Sequence, residues 1–153
     1  MKYSMAVVVI LLIGVGAGPA AASCFNDGYE NQLFSNGNRL QDALNNKRIL
    51  ATGGGEAWNE DHCSNGNLFK VGVADDPVDP RAFRGTWFAE GSGANSLVTY
   101  NYTVGGTSSF SWELWQNGAG GLCWENPSTN DTIATAPAPG GLTGTCDTTP
   151  TPP

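Results

Sequence analysis

The sequence predicts an all-β fold: a small antiparallel up-and-down barrel, or a sandwich, of about seven or eight short strands with one short N-terminal helix. Three observations predict it. Glycine and proline are abundant, at 21 and 9 of 153 residues, while only 14% are charged, a turn-rich composition unlike that of a helical bundle. Residues 97–125 hold three β-branched and aromatic runs separated by Gly105-Gly106 and Asn117-Gly118, the pattern of an antiparallel meander. The connections between runs are too short for crossovers, so neighbours in sequence should be neighbours in the sheet. Closure into a barrel is favoured over a sandwich because it removes exposed edges.

Taken in order, residues 1–23 carry one lysine, an apolar run from Met5 to about Val15, a Gly/Pro break and Ala20-Ala21-Ala22-Ser23. This is the three-part pattern of a secretory signal peptide, and its apolar run is about half of the ~20 residues that span a bilayer. Cleavage after Ala22 or after Ser23 satisfies the small-residue rule, and a lipoprotein-type cleavage would instead make Cys24 a lipid-anchored N-terminus. A single β domain is expected over residues 24–126, starting with an irregular arm. Asn38 is placed to cap a short helix near 38–45, in which Leu40, Ala43 and Leu44 fall on one face. Residues 47–52 form a first strand before Gly53-Gly54-Gly55, and residues 57–63 and 67–73 form a hairpin around Ser64-Asn65-Gly66, an Asn-Gly turn with positive φ at both positions. In the next segment Pro77 and Pro80 block ladder hydrogen bonds and mark a rigid connector. Asp75, Asp76 and Asp79 within it are an acidic group without the oxygen-ligand spacing of a helix-loop-helix calcium site. Residues 83–90 are the following strand.

Within the meander, Val98, Tyr100, Tyr102 and Val104 share one face. Phe110, Trp112 and Leu114 alternate with Ser109, Ser111 and Glu113, so the register is well specified. Trp115 falls on the polar face and should point away from Trp112. Residues 127–153, rich in Pro, Thr, Gly and Ala, are expected to be a largely irregular tail clipped at Cys146, with a short strand near 132–135, because they lack the large apolar side chains that offset ordering entropy.

Cys24, Cys63, Cys123 and Cys146 all follow the leader, and an even count in an exported chain reads as disulfides. Strand positions favour Cys63 with Cys123, and flank positions Cys24 with Cys146. No Cys-x-x-Cys or Cys/His spacing supports zinc, and no cofactor is expected. The formal net charge of −7 argues against nucleic acid and anionic membrane as partners. The expected location is secreted or periplasmic.

The order Trp58-x-Glu60-x-His62, Asp76-Pro77-Val78-Asp79-Pro80, Gly85-Thr86-Trp87, Val98-Thr99-Tyr100-Asn101-Tyr102 and a late cysteine resembles a set of small exported bacterial proteins of unassigned function. The resemblance covers most of residues 40–124 and implies compartment and fold. The Gly-x-Trp triplet is also similar to the one near the start of lipocalins, which offers an analogy of shape.

Two kinds of site are visible. His62, the single histidine, shares a strand face with Glu60, so the pair could serve as base and orienting carboxylate, and Glu60 with Glu113 or Glu125 could mimic a glycosidase pair. A histidine so placed is otherwise a structural, hydrogen-bonded residue. The aromatics, among them Trp58 and Trp87, either fill a core or line a small-molecule pocket, and alternation assigns Tyr100, Tyr102, Trp112 and Trp124 to the wall of such a pocket. The first functional reading is therefore a non-enzymatic exported barrel that takes a small apolar or aromatic ligand. A surface interaction, structural or inhibitor module of the cell envelope is the second, and an enzyme using Glu60 and His62 is the third.

Overall fold

The computed structural model describes residues 23–71, 81–104, 106–142 and 144–146. The signal-peptide segment and the Asp75, Asp76 and Asp79 group lie outside the described residues. Among the described residues, ten strands and one short α-helix follow the order β1 (Asn31–Gln32), α1 (Arg39–Leu44), β2 (Lys47–Gly53), β3 (Glu56–His62), β4 (Asn67–Val71), β5 (Ala82–Glu90), β6 (Leu97–Tyr102), β7 (Ser108–Gln116), β8 (Leu122–Glu125), β9 (Thr132–Ala136) and β10 (Gly140–Gly141). Strands β2 to β9 each pair antiparallel with the next, and β9 returns to β2, so eight strands close an up-and-down barrel. The barrel form is thus realised and the sandwich is not.

The inward faces follow from the alternation. Ile49 and Ala51, Leu68, Trp87, Val98 and Tyr100, Leu114, Leu122 and Trp124 form one continuous buried cluster. Helix α1 adds Leu40 and Leu44, both fully buried, and each leucine so placed is worth about 2 kcal/mol of apolar burial. The helix contacts β2 and β5 and runs directly into the start of β2, so it lies at the end of the barrel where β2 begins. Asn38 precedes it in the left-handed conformation at φ 59° and makes no side-chain cap. The residue contributes through its tolerance of positive φ, in place of the expected hydrogen bond.

On β5 the close approach of the next strand requires glycine. Gly85 faces the interior opposite Leu68, and a Cβ there would lie 1.9 Å from the carbonyl oxygen of Asn101. The Asn65-Gly66 turn differs from the expected geometry: Gly66 has φ 85°, whereas Asn65 is not among the positive-φ residues. Gly66 N–H donates to Cys63 O and Cys63 N–H to Asn67 O, so one glycine suffices to reverse the chain. Strand β6 ends at Tyr102, and Val104, expected on its inner face, is exposed beyond it.

Two expectations are corrected. Residues from 127 onward are not merely an irregular tail, because β9 is the strand that closes the barrel. Small side chains suffice opposite large ones, a complementarity that composition does not express: Ala134 pairs with Trp124 and Ala136 with Leu122, so β8 supplies the bulk. The disulfides are Cys24–Cys123 and Cys63–Cys146, not Cys63–Cys123 and Cys24–Cys146. In the closed barrel β3 and β8 are separated by β2 and β9, so Cys63 and Cys123 stand on different parts of the wall. The N-terminal arm instead crosses the outside of β7 and β8, where Cys24 meets Cys123 and Phe25 packs edge-on against Trp115 at 6.3 Å. Trp115 does point outward, as alternation required. The Cys24 sulfur is fully buried in its disulfide.

Two disulfides fit a non-reducing, extracytoplasmic environment. Among the described residues no helix is long and apolar enough to cross a membrane.

Candidate functional site

The barrel is filled at the helix end and hollow towards the other. A cavity of about 50 Å³, partly open to solvent, lies among side chains that point inward from β3, β6, β7 and β8. Tyr100, Tyr102, Trp112 and Trp124, the four residues assigned to a pocket wall by alternation alone, all border it. Trp58 and Glu60 of β3 complete the ring, and Ala51 and Ala134 leave the space that larger residues would fill.

Each side chain is held by its neighbours. Tyr100 and Tyr102 stack with ring centroids 6.3 Å apart, and Phe110 stacks on Trp112 at 6.0 Å, so two parallel pairs run along β6 and β7. Phe110 also meets the edge of Tyr102 at 6.1 Å and is exposed, which puts it beyond Trp112 on the open side. Trp124 Nε1–H donates to the Tyr100 hydroxyl at 2.9 Å, and that hydroxyl lies 3.1 Å from His62 Nε2. The Tyr102 hydroxyl donates to Glu60 Oε1 at 2.9 Å. These bonds satisfy polar tips whose burial alone would cost about 1–3 kcal/mol each, and they fix the ring orientations.

The electrostatics follow from depth. Burial pushes the Glu60 carboxyl above its ordinary range, an effect moderated by the hydrogen bond from Tyr102 and by the charge of Lys70 on the adjacent strand. Burial also lowers His62 to about 4, so its imidazole is neutral at physiological pH, between the edges of Trp87 and Tyr100. The Tyr100 and Tyr102 hydroxyls are pushed up by burial and by the Glu60 charge.

Glu60 and His62 share the inward face, as their spacing required, but their side chains are engaged separately. Glu60 is bonded to Tyr102, and His62 reaches Tyr100. The carboxylate does not orient the imidazole. Glu113 and Glu125 are cross-strand partners on the outer face, where Glu125 accepts from the Cys24 backbone N–H at 2.6 Å. Burial and then the neighbouring Glu125 charge raise the Glu113 carboxyl. The barrel wall separates both from Glu60, so no glycosidase pair forms. Asp61, the outward neighbour of Glu60, is fully buried and bound by Arg48 at 2.7 Å and Arg81 at 2.6 Å.

Sequence reasoning placed the four aromatics but gave Glu60 no part in the pocket. The signal was present in Trp58-x-Glu60-x-His62, whose period of two puts all three side chains on one face. Which face could be told only from the apolar partners across the strand, Ile49 opposite Glu60 and Leu68 opposite His62. Among the described residues no group of three or more His, Cys, Asp or Glu is arranged to hold a metal ion. In comparisons with known proteins, the chain matches no family model, no curated protein and no solved structure.

Proposed function

We propose that this chain is an exported, non-enzymatic barrel protein, secreted or periplasmic, that binds a small molecule in the open end of its barrel. The observation that carries this reading is the convergence of Tyr100, Tyr102, Trp112 and Trp124 on an unfilled cavity of about 50 Å³. Three tryptophans and two tyrosines line this space without filling it, and its open side gives a small molecule a way in. The signal-peptide pattern and the two disulfides support the compartment. Engagement of both His62 and Glu60 by tyrosine hydroxyls supports binding over catalysis, since neither is left facing a nucleophile.

The size narrows the ligand first expected. An apolar engineered cavity that encloses benzene measures about 150 Å³, so this one takes only a small group in its enclosed part, with the remainder of the molecule in the mouth. Tryptophan emission of the mature protein, followed during titration with small amines, alcohols and carboxylates bearing a phenyl or alkyl tail, tests the proposal. A saturable change is expected for at least one class, and Trp112→Ala should abolish it while the barrel stays folded. Absence of any saturable response across the three classes overturns the reading.

A further inference from the structure

The cavity has one feature that a purely apolar pocket would lack. Glu60 is only 8% exposed, its carboxylate stands in the wall between Trp58 and Tyr102, and its hydrogen-bond donors are neutral groups, the Tyr102 phenol and the Trp58 indole. A carboxylate in such surroundings forfeits most of its hydration and gains from a cation brought to it. Around it are indole and phenol rings whose faces carry partial negative charge, the surroundings that attract organic cations. Lys70, its cross-strand partner on β4, lies half-buried and acts on it through its charge.

We propose, resting on the cavity reading above, that the ligand is a primary organic ammonium. Its head seats against Glu60 among Trp58, Tyr102 and Trp112, and its hydrocarbon tail lies along the Phe110–Trp112 stack towards solvent. The dimensions agree with this division. An ammonium or methylammonium head matches a space of about 50 Å³, whereas an aromatic ring does not, and the exposed Phe110 ring offers apolar surface for the tail outside it. Such a ligand would strengthen the charged form of Glu60. Lys70 has a flexible four-carbon stem, on which its ammonium can move towards water when the ligand's cation arrives.

Three probes of one shape test the proposal: 2-phenylethylamine, 2-phenylethanol and phenylacetate, each titrated into the full mature protein at neutral pH by calorimetry and tryptophan emission. The amine should bind at least 10-fold more tightly than the alcohol, and phenylacetate should bind least. In Glu60→Gln, which keeps an acceptor for Tyr102, the preference for amine over alcohol should vanish while alcohol binding persists. Equal binding of amine and alcohol by the wild-type protein overturns the cation proposal and leaves the cavity reading standing. Preference for phenylacetate overturns it in favour of Lys70 as the recognising charge. If none of the three binds, the cation proposal fails, and the cavity reading is then decided by the wider panel. The wild-type comparison decides the matter even if Glu60→Gln does not fold.

Discussion

At the scale of residues, the hydrogen-bonded series Trp124, Tyr100 and His62 shows how a small barrel keeps polar groups inside. The Tyr100 hydroxyl accepts from the Trp124 indole at 2.9 Å and lies 3.1 Å from His62 Nε2, so one phenol oxygen serves both buried rings. Full burial holds the His62 imidazole neutral. Because the chain has a single histidine, its ring resonances are unambiguous, and an NMR titration should give a midpoint of about 4, well below the ordinary 6.5. The unfolded chain takes up this proton near 6.5 and the folded chain only near 4, so acid favours unfolding. His62's contribution is complete above pH 6.5 and declines by about 3 kcal/mol as pH falls to 4. Glu60 works in the opposite sense, since its raised pKa makes stability fall as pH rises through the folded value. A His62 midpoint near 6.5 would show that the imidazole is reached by water.

At the scale of elements, β9 shows where composition misleads. Its residues Thr132–Ala136 include no aromatic side chain, and a low-hydrophobicity criterion reads the segment as tail. Packing follows complementarity instead: Trp124 needs a small residue opposite, and Ala134 is that residue. Truncation after residue 130, in a Cys63→Ser background so that no orphan thiol remains, should therefore abolish cooperative thermal unfolding. Retention of a melting temperature within a few degrees would show that β9 is dispensable. The meander was legible because its alternation is nearly unbroken over β6 and β7, and period-two alternation fixes which residues share a face. The short helix was legible from the spacing of Leu40, Ala43 and Leu44. The disulfide pairing was not, because it depends on which strands adjoin after closure, and that is set by the β2–β9 contact between distant parts of the chain. The role of Glu60 was hidden for a related reason: a carboxylate on an alternating strand is assigned to solvent unless the cross-strand partner is known.

At the scale of the whole molecule, both described chain ends are pinned to the outside of the wall, one by Cys24–Cys123 and the other by Cys63–Cys146. These bridges close long loops, with sequence separations of 99 and 83 residues, and chain entropy assigns each a stabilisation of about 4.5 kcal/mol. They do not share the work evenly, because the barrel has a thin seam. Between β2 and the C-terminal segment the register gives Thr52 with Thr135, then Arg48 and Lys47 with Gly140 and Gly141. Pro137 and Pro139 lie between the two contacts and can donate no ladder hydrogen bond. Gly53 lets the backbones approach, since a Cβ there would lie 2.3 Å from Ile133 O. The Cys63–Cys146 bridge fastens the strand beyond that interruption. In a Cys63→Ser, Cys146→Ser protein, stability should drop by about 2–5 kcal/mol. Amide hydrogen exchange should then begin at Thr52 and Thr135, ahead of the unbroken β5–β6 ladder; uniform loss of protection across both would contradict this. Opening at that place turns a ring into a ribbon that keeps its meander and its aromatic stacks but has two bare margins. The bridge thus guards against association between copies as much as against unfolding, because a ribbon with unpaired margins is a template on which a second chain can lay its own strands.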